Sequence, residues 1–193
     1  MPTVDTAWPG IKLQYEGSSN PYFEVIAKEA LSLIAAKPVG AQLLSGIGQT
    51  APQVNDGLPA GCNVLIMPTT ERKFYDQSVR QFATDARHMV PSGLSGSCNA
   101  ALSPVAGGKT NAGSACKLYF NNTIRVTSRG EATYPFIALA HELIHSLHCL
   151  TGTRMDGKAE ELKTVGLDPY SGEAITENNI RAEHGIALRT QYY

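Results

Sequence analysis

The stretch Tyr134-Pro-Phe-Ile-Ala-Leu-Ala-His-Glu-Leu-Ile-His-Ser-Leu-His-Cys-Leu150 decides how the rest of this chain is read. It carries an H-E-x-x-H pattern inside an apolar run. His141 and His145 are four residues apart, so on a helix of about 3.6 residues per turn they stand one above the other. Two imidazoles so placed can reach one Zn²⁺ at about 2.0–2.1 Å. Glu142 points about 100° around the helix from His141. There a carboxylate is badly placed to join the two histidines but can take a proton from an attacking water. The flanks agree with a helix. Pro135 suits a first turn and Gly152 a stop, while Phe136, Ala140, Leu143, Ile144 and Leu147 form an apolar arc at helical spacing. His148 extends the histidine stripe. It is expected to support the site rather than ligate, because a catalytic zinc keeps one position open.

The 193 residues are enough for one well-buried domain, and a single domain over 1–193 is the expectation. Net charge is −1 with Lys and Arg scattered, which leaves no footprint for nucleic acid or an anionic membrane. A substrate is then expected to be recognised by shape and local contacts, by a monomer. No stretch approaches the ~20 apolar residues of a membrane span, and the opening Met-Pro-Thr-Val-Asp lacks the charged and apolar regions of a signal peptide. Export is therefore expected to use a route other than the general secretory one. Cys62, Cys98, Cys116 and Cys149 are spread without a C-x-x-C pair. Free thiols are expected, with a Cys98–Cys116 loop clip as the exception.

Residues 1–19, with Pro9, Gly10 and Gly17, read as an irregular lead-in. Asn20-Pro21 suits a helix opening, with Tyr22, Val25, Ile26 and Leu33 turned inward up to about Ala36. Pro38 ends that helix, and Val39 to Ile47 suit a second with Leu43, Leu44 and Ile47 on one side. Cys62-Asn-Val-Leu-Ile-Met-Pro68 reads as a buried strand. Residues 71–89 stay open between helix and strand. The Ser/Gly/Asn-rich residues 91–116 suit a long loop that could rim a groove. Lys117–Phe120 and Thr123–Thr127, joined by Asn121-Asn122, suit a hairpin.

Two histidines leave a catalytic zinc one protein ligand short. No histidine follows His145 at the H-x-x-G-x-x-H distance, which disfavours a metzincin-like site. The helix-like segment Lys158-Ala-Glu-Glu-Leu-Lys-Thr-Val-Gly166 offers Glu160 and Glu161 instead.

With these residues in view, Ala140–His145 followed by Glu160–Gly166 resembles the clostridial neurotoxin light chains. The match is closer to the NleD-type effector metallopeptidases that pathogenic bacteria inject into host cells. Glu160–Asp168, Thr176–Gly185 and Leu188–Tyr192 are similar to that family's signature, in order, over about residues 133–193. The resemblance implies an α+β, zincin-like fold with the H-E-x-x-H helix beside a small twisted sheet, and one Zn²⁺ per chain. It makes Glu161 the third zinc ligand, and Arg189 and Tyr192 an R-x-x-Y pair that faces the reacting water. Glu177, twelve residues ahead of Arg189, becomes a supporting carboxylate, with Glu160 and His148 placed behind the ligands. Such a guanidinium or phenol can stabilise the oxyanion built by attack on an amide. Arg181, Glu183 and His184 match as structural support, with His184 a reserve ligand. The implied life is that of a zinc endopeptidase secreted by a specialised bacterial system into the host cytoplasm. By analogy its target there is a mitogen-activated protein kinase of the JNK/p38 type. A toxin domain of a larger secreted protein, or a catalytically silent zincin-fold binding protein with structural zinc, fits the same sequence. The intact Glu142 weighs against the silent reading, because a structural zinc needs no base.

Overall fold

The computed structural model describes residues 2–17, 22–53, 55, 57–68, 72–76, 81–85, 113–120, 132–155 and 157–192. Its centre is a mixed sheet in the order β1-β2-β3-β6, from β1 (Thr3–Asp5), β2 (Gly10–Gln14), β3 (Cys62–Pro68) and β6 (Cys116–Phe120). β1 runs antiparallel to β2, while β2, β3 and β6 are parallel, with Leu13 opposite Ile66 and Ile66 opposite Leu118. Within residues 71–89, the described residues form a separate antiparallel pair, β4 (Arg72–Asp76) and β5 (Gln81–Asp85).

β3 lies where the apolar run predicted it and is buried on both faces, as a strand inside a parallel ladder must be. Val64 and Ile66 face the main core, whereas Cys62 and Leu65 join a smaller cluster with Leu58 and Ala115. Three helices close the main core: α1 (Phe23–Ala35), α2 (Pro38–Gln49) and α3 (Pro135–Thr151). α4 (Gly157–Val165) and α5 (Glu177–Glu183) then pack on α3. The chain is thus α+β, with the H-E-x-x-H helix α3 packed on β6 and on the other four helices.

α3 starts and stops as its sequence dictates. Pro135 occupies the first turn, where its missing N–H costs nothing. Gly152 ends the helix at φ 68°, a left-handed conformation that a side chain would strain. Leu43, Leu44 and Ile47 of α2 are buried on one side as expected.

Four expectations need correction. The lead-in of residues 1–19 is not irregular. Ile11 and Leu13 are buried in β2, but an alternation of two apolar residues beside Pro9 and Gly10 is too short to register without its distant partner β3. The buried face of α1 is Phe23, Ala27, Ala30, Leu31 and Ile34, whereas Tyr22, Val25 and Leu33 are exposed and Ile26 is half-buried. The buried residues repeat at helical spacing opposite Glu24, Lys28, Glu29 and Ser32, and Val25 lies on that polar side. Finally, among the described residues Cys116 and Cys62 are free and buried, and Cys149 at the end of α3 is in a disulfide. That excludes the Cys98–Cys116 clip and also the expectation that all thiols are free. Burial pushes the Cys62 thiol to about 11 and the Cys116 thiol to about 12, so both behave as small apolar groups. The Asn20-Pro21 opening, most of the 91–116 loop and the second hairpin strand fall outside the described residues. Among those residues no single helix is long and apolar enough to cross a membrane.

Candidate metal centre

Burying α3 on its apolar side also buries its histidines. His141, His145 and His148 are at most 9% exposed, and a buried imidazole must find partners for both nitrogens. On one edge, carboxylates supply them. His141 donates from Nδ1 to Glu177 Oε2 at 2.8 Å, and His145 from Nδ1 to Glu160 Oε1 at 2.7 Å. The partners are ionised carboxylates, which only accept, so Nδ1 keeps its proton and Nε2 is the nitrogen left to offer a lone pair when the ring is neutral.

Those two lone pairs meet. His141 Nε2 and His145 Nε2 are 3.0 Å apart, and Glu161 Oε2 lies 3.3 Å from each. Three donors bound at about 2.0–2.1 Å to one tetrahedral ion stand roughly 3.3 Å from one another. Glu161 Oε2 is itself buried and has no hydrogen-bond partner. A buried carboxylate oxygen facing two imidazole lone pairs is costly unless a metal ion lies between them or the rings take up protons there. Two histidines and a carboxylate are also the donor set of a catalytic zinc. His141, His145 and Glu161 therefore fit a metal ion on their geometry, burial and chemistry.

A second group, His145, His148 and Glu160, is also close enough to suggest a metal. Here the separations are 2.7 and 2.8 Å from Glu160 Oε1 to the two Nδ1 atoms. These are hydrogen-bond lengths, shorter than the edge of a ligand tetrahedron. Glu160 is instead a hub. Its Oε1 also accepts from Thr164 Oγ1 at 3.3 Å, and its Oε2 from the Met155 backbone N–H at 2.8 Å. Through Glu160, His148 is thus linked to the far edge of His145.

Electrostatics follow from this crowding. Burial alone would lower the two ligand histidines, but the carboxylates outweigh it and raise His141 to about 9 and His145 to about 10 in the metal-free chain. Burial disfavours charge on Glu160 and Glu161 too, yet their histidine neighbours hold both carboxyls well below the usual range. Glu177, against His141 and two guanidinium groups, is lowered to about 2 despite its burial.

The C-terminus reaches the same place. Arg189 donates from Nη1 to Glu177 Oε2 at 3.1 Å, and its backbone N–H bonds Asn178 Oδ1 at 2.8 Å. The Tyr192 ring lies parallel to that of His141, with centroids 6.3 Å apart, and the Arg189 guanidinium carbon stands 5.1 Å from the Tyr192 centroid. Glu142 is half-buried one residue beyond His141. His184, the reserve ligand, is remote in role: it stacks on Phe136 at 4.9 Å and touches none of the three donors.

Sequence reasoning left Arg181 as plain support, yet it is the largest fully buried side chain among the described residues. Its signal was the i, i+4 spacing from Glu177, whose Oε1 it meets at 2.6 Å. Arg181 also walls a cavity of about 680 Å³ together with Leu33, Tyr134, Phe136, His184 and Leu188.

Known proteins share the fold and define the family. The light chain of botulinum neurotoxin type G aligns over 95% of this chain with a TM-score of 0.51 at 16% identity, and this chain covers 60% of it. The catalytic domain of Clostridium botulinum neurotoxin serotype F aligns over 88% with a TM-score of 0.45 at 17% identity, and 49% of it is covered. At such identities the type G likeness is one of fold, and this chain spans about 60% or less of those light chains. No curated protein sequence matches the chain significantly. A sequence profile of the Peptidase M91 family, described as effector protein, matches residues 10–192. With 183 of its 193 residues inside that match, the chain belongs to the Peptidase M91 effector protein family.

Proposed function

We propose that this protein is a zinc-dependent endopeptidase that cuts a host protein. The observation that carries the reading is Glu161 Oε2, buried without a hydrogen bond and 3.3 Å from both ligand-competent imidazole nitrogens. Zinc held by His141, His145 and Glu161 would acidify a water and polarise a carbonyl oxygen. Every other task falls to the chain. Glu142 takes the proton of the attacking water and returns it to the leaving amine. Glu177 and Glu160 keep the ligand rings in the tautomer and orientation that present Nε2. Arg189 and Tyr192, brought beside His141 by the last residues of the chain, donate to the oxyanion of the tetrahedral intermediate.

The family and the resemblance to NleD-type enzymes support secretion by a specialised bacterial system, work in the host cytoplasm, and a JNK/p38-type kinase as substrate. One comparison tests the reading. Zinc-loaded wild type and Glu142→Gln are incubated with host-cell lysate, and new protein N-termini are catalogued by mass spectrometry. The proposal expects a small set of neo-N-termini in the wild-type sample alone, lost on chelation, with the kinase among the cut proteins. Identical N-termini in both samples would refute the peptidase, and cuts confined to other proteins would refute the kinase target.

A further inference from the structure

We propose that Arg181 is a positioning residue for the metal centre: its buried guanidinium sets the carboxylate that orients His141 and the segment that delivers Arg189. The inference rests on the metal reading above but assigns a task that reading does not need.

Four hydrogen bonds define the task. Arg181 donates from Nε to Glu177 Oε1 at 2.6 Å and from Nη1 to the carbonyls of Ala132 at 3.2 Å and Ala187 at 3.0 Å. From Nη2 it donates to Thr133 Oγ1 at 3.3 Å. These partners lie on three segments: the entry to α3, the first turn of α5, and the irregular stretch after α5, two residues before Arg189. Glu177 uses its other oxygen on His141 Nδ1 and Arg189 Nη1. One planar fork thus fixes, at once, the height of the metal helix, the carboxylate behind its first histidine and the approach of the C-terminus. A lysine has no such fork, because its ammonium is a point donor.

Stability alone does not explain a guanidinium 1% exposed. Desolvating a charge costs several kcal/mol, and an apolar side chain of similar volume is often neutral or better in such a place. What an apolar residue cannot do is aim Glu177. A ligand histidine released by its carboxylate partner typically costs about 10–100-fold in metal affinity.

The test reads zinc release, not turnover. Zinc-loaded wild type, Arg181→Met, Glu177→Gln and the double variant are mixed with excess chelator, and the zinc dissociation rate is followed. Metal-free unfolding is recorded in parallel. The expected result is a rate about 10–100-fold higher for Arg181→Met. On top of Glu177→Gln, the same change should add less than about twofold, since both remove one restraint. Arg181→Lys, which keeps charge without the fork, should also release zinc faster, and it carries the measurement if Arg181→Met does not fold. A folded variant with lower stability but the wild-type release rate would make Arg181 merely structural and overturn the proposal. So would effects of Arg181→Met and Glu177→Gln that multiply. Wild type that holds no zinc would sink the metal reading and this inference with it, a result distinct from the other two.

Discussion

Glu160 and Glu161 are neighbours in sequence and in α4, yet they meet the two opposite edges of the same His145 ring. Changing each to alanine should therefore give opposite profiles. Glu161→Ala removes one of three metal donors. Structural zinc sites with four ligands bind with about 10–16 kcal/mol, or roughly 3–4 kcal/mol per ligand. That corresponds to a zinc affinity lower by about 10²–10³-fold. In the metal-free protein Glu161 pairs with His141 and His145, but its side chain is 23% exposed, so the metal-free Tm should fall by less than in Glu160→Ala. Glu160→Ala instead strands the buried donors of His145, His148, Met155 and Thr164. Removing one partner from such a buried charged network costs about 3–5 kcal/mol. For a chain of this length that lowers Tm by roughly 6–20 °C. Its zinc affinity should fall less, by about 10–100-fold, because only the support of a ligand is lost. Calorimetric zinc titration and metal-free thermal unfolding of the two variants provide both numbers. If Glu160→Ala loses zinc more completely than Glu161→Ala while keeping its metal-free Tm, the two carboxylates have been assigned the wrong way round.

Glu142→Gln should keep the wild-type zinc content and lose about 10²–10⁴-fold in kcat, the usual worth of a general base; loss of zinc in this variant would make Glu142 a ligand. Tyr192→Phe should retain zinc and lower kcat by about 10²–10³-fold if its hydroxyl serves the oxyanion, and unchanged kcat would remove it from the reaction. The pH dependence has a fixed sign. The metal-free histidine pair is raised from the usual 6.5 to about 9 and 10, so its stabilising charge pairing is complete below about pH 6.5 and lost as pH rises through 9 to 10. Metal-free Tm should fall across that window, while zinc affinity rises because zinc must displace the same proton. A flat Tm with pH-independent affinity would contradict the assignment of the buried pair.

What the sequence disclosed was whatever depends on spacing along one helix or strand. The His141–His145 interval, the Pro135 and Gly152 limits and the apolar run of β3 each carry their own local signal. The adjacent carboxylates of α4 were legible as ligand candidates, but not which nitrogen each would face, since that depends on how α4 crosses α3. β2 escaped notice because two buried residues acquire meaning only beside β3, some fifty residues later. α1 carries a local signal too: Phe23, Ala27, Ala30, Leu31 and Ile34 repeat at helical spacing opposite Glu24, Lys28, Glu29 and Ser32, which leaves Val25 on the polar side. Arg181 was largely hidden because only Glu177 is local to it, while its partners at 132, 133 and 187 are gathered by the fold.

The central claim is that one zinc is held by two imidazoles and one carboxylate. X-ray absorption at the zinc edge of the purified wild-type protein tests it most directly. The account predicts two imidazole nitrogens at about 2.0–2.1 Å and protein oxygen at about 2.0–2.2 Å. A third imidazole, which would bring in His148, or a sulfur shell near about 2.3 Å from a cysteine, would contradict it.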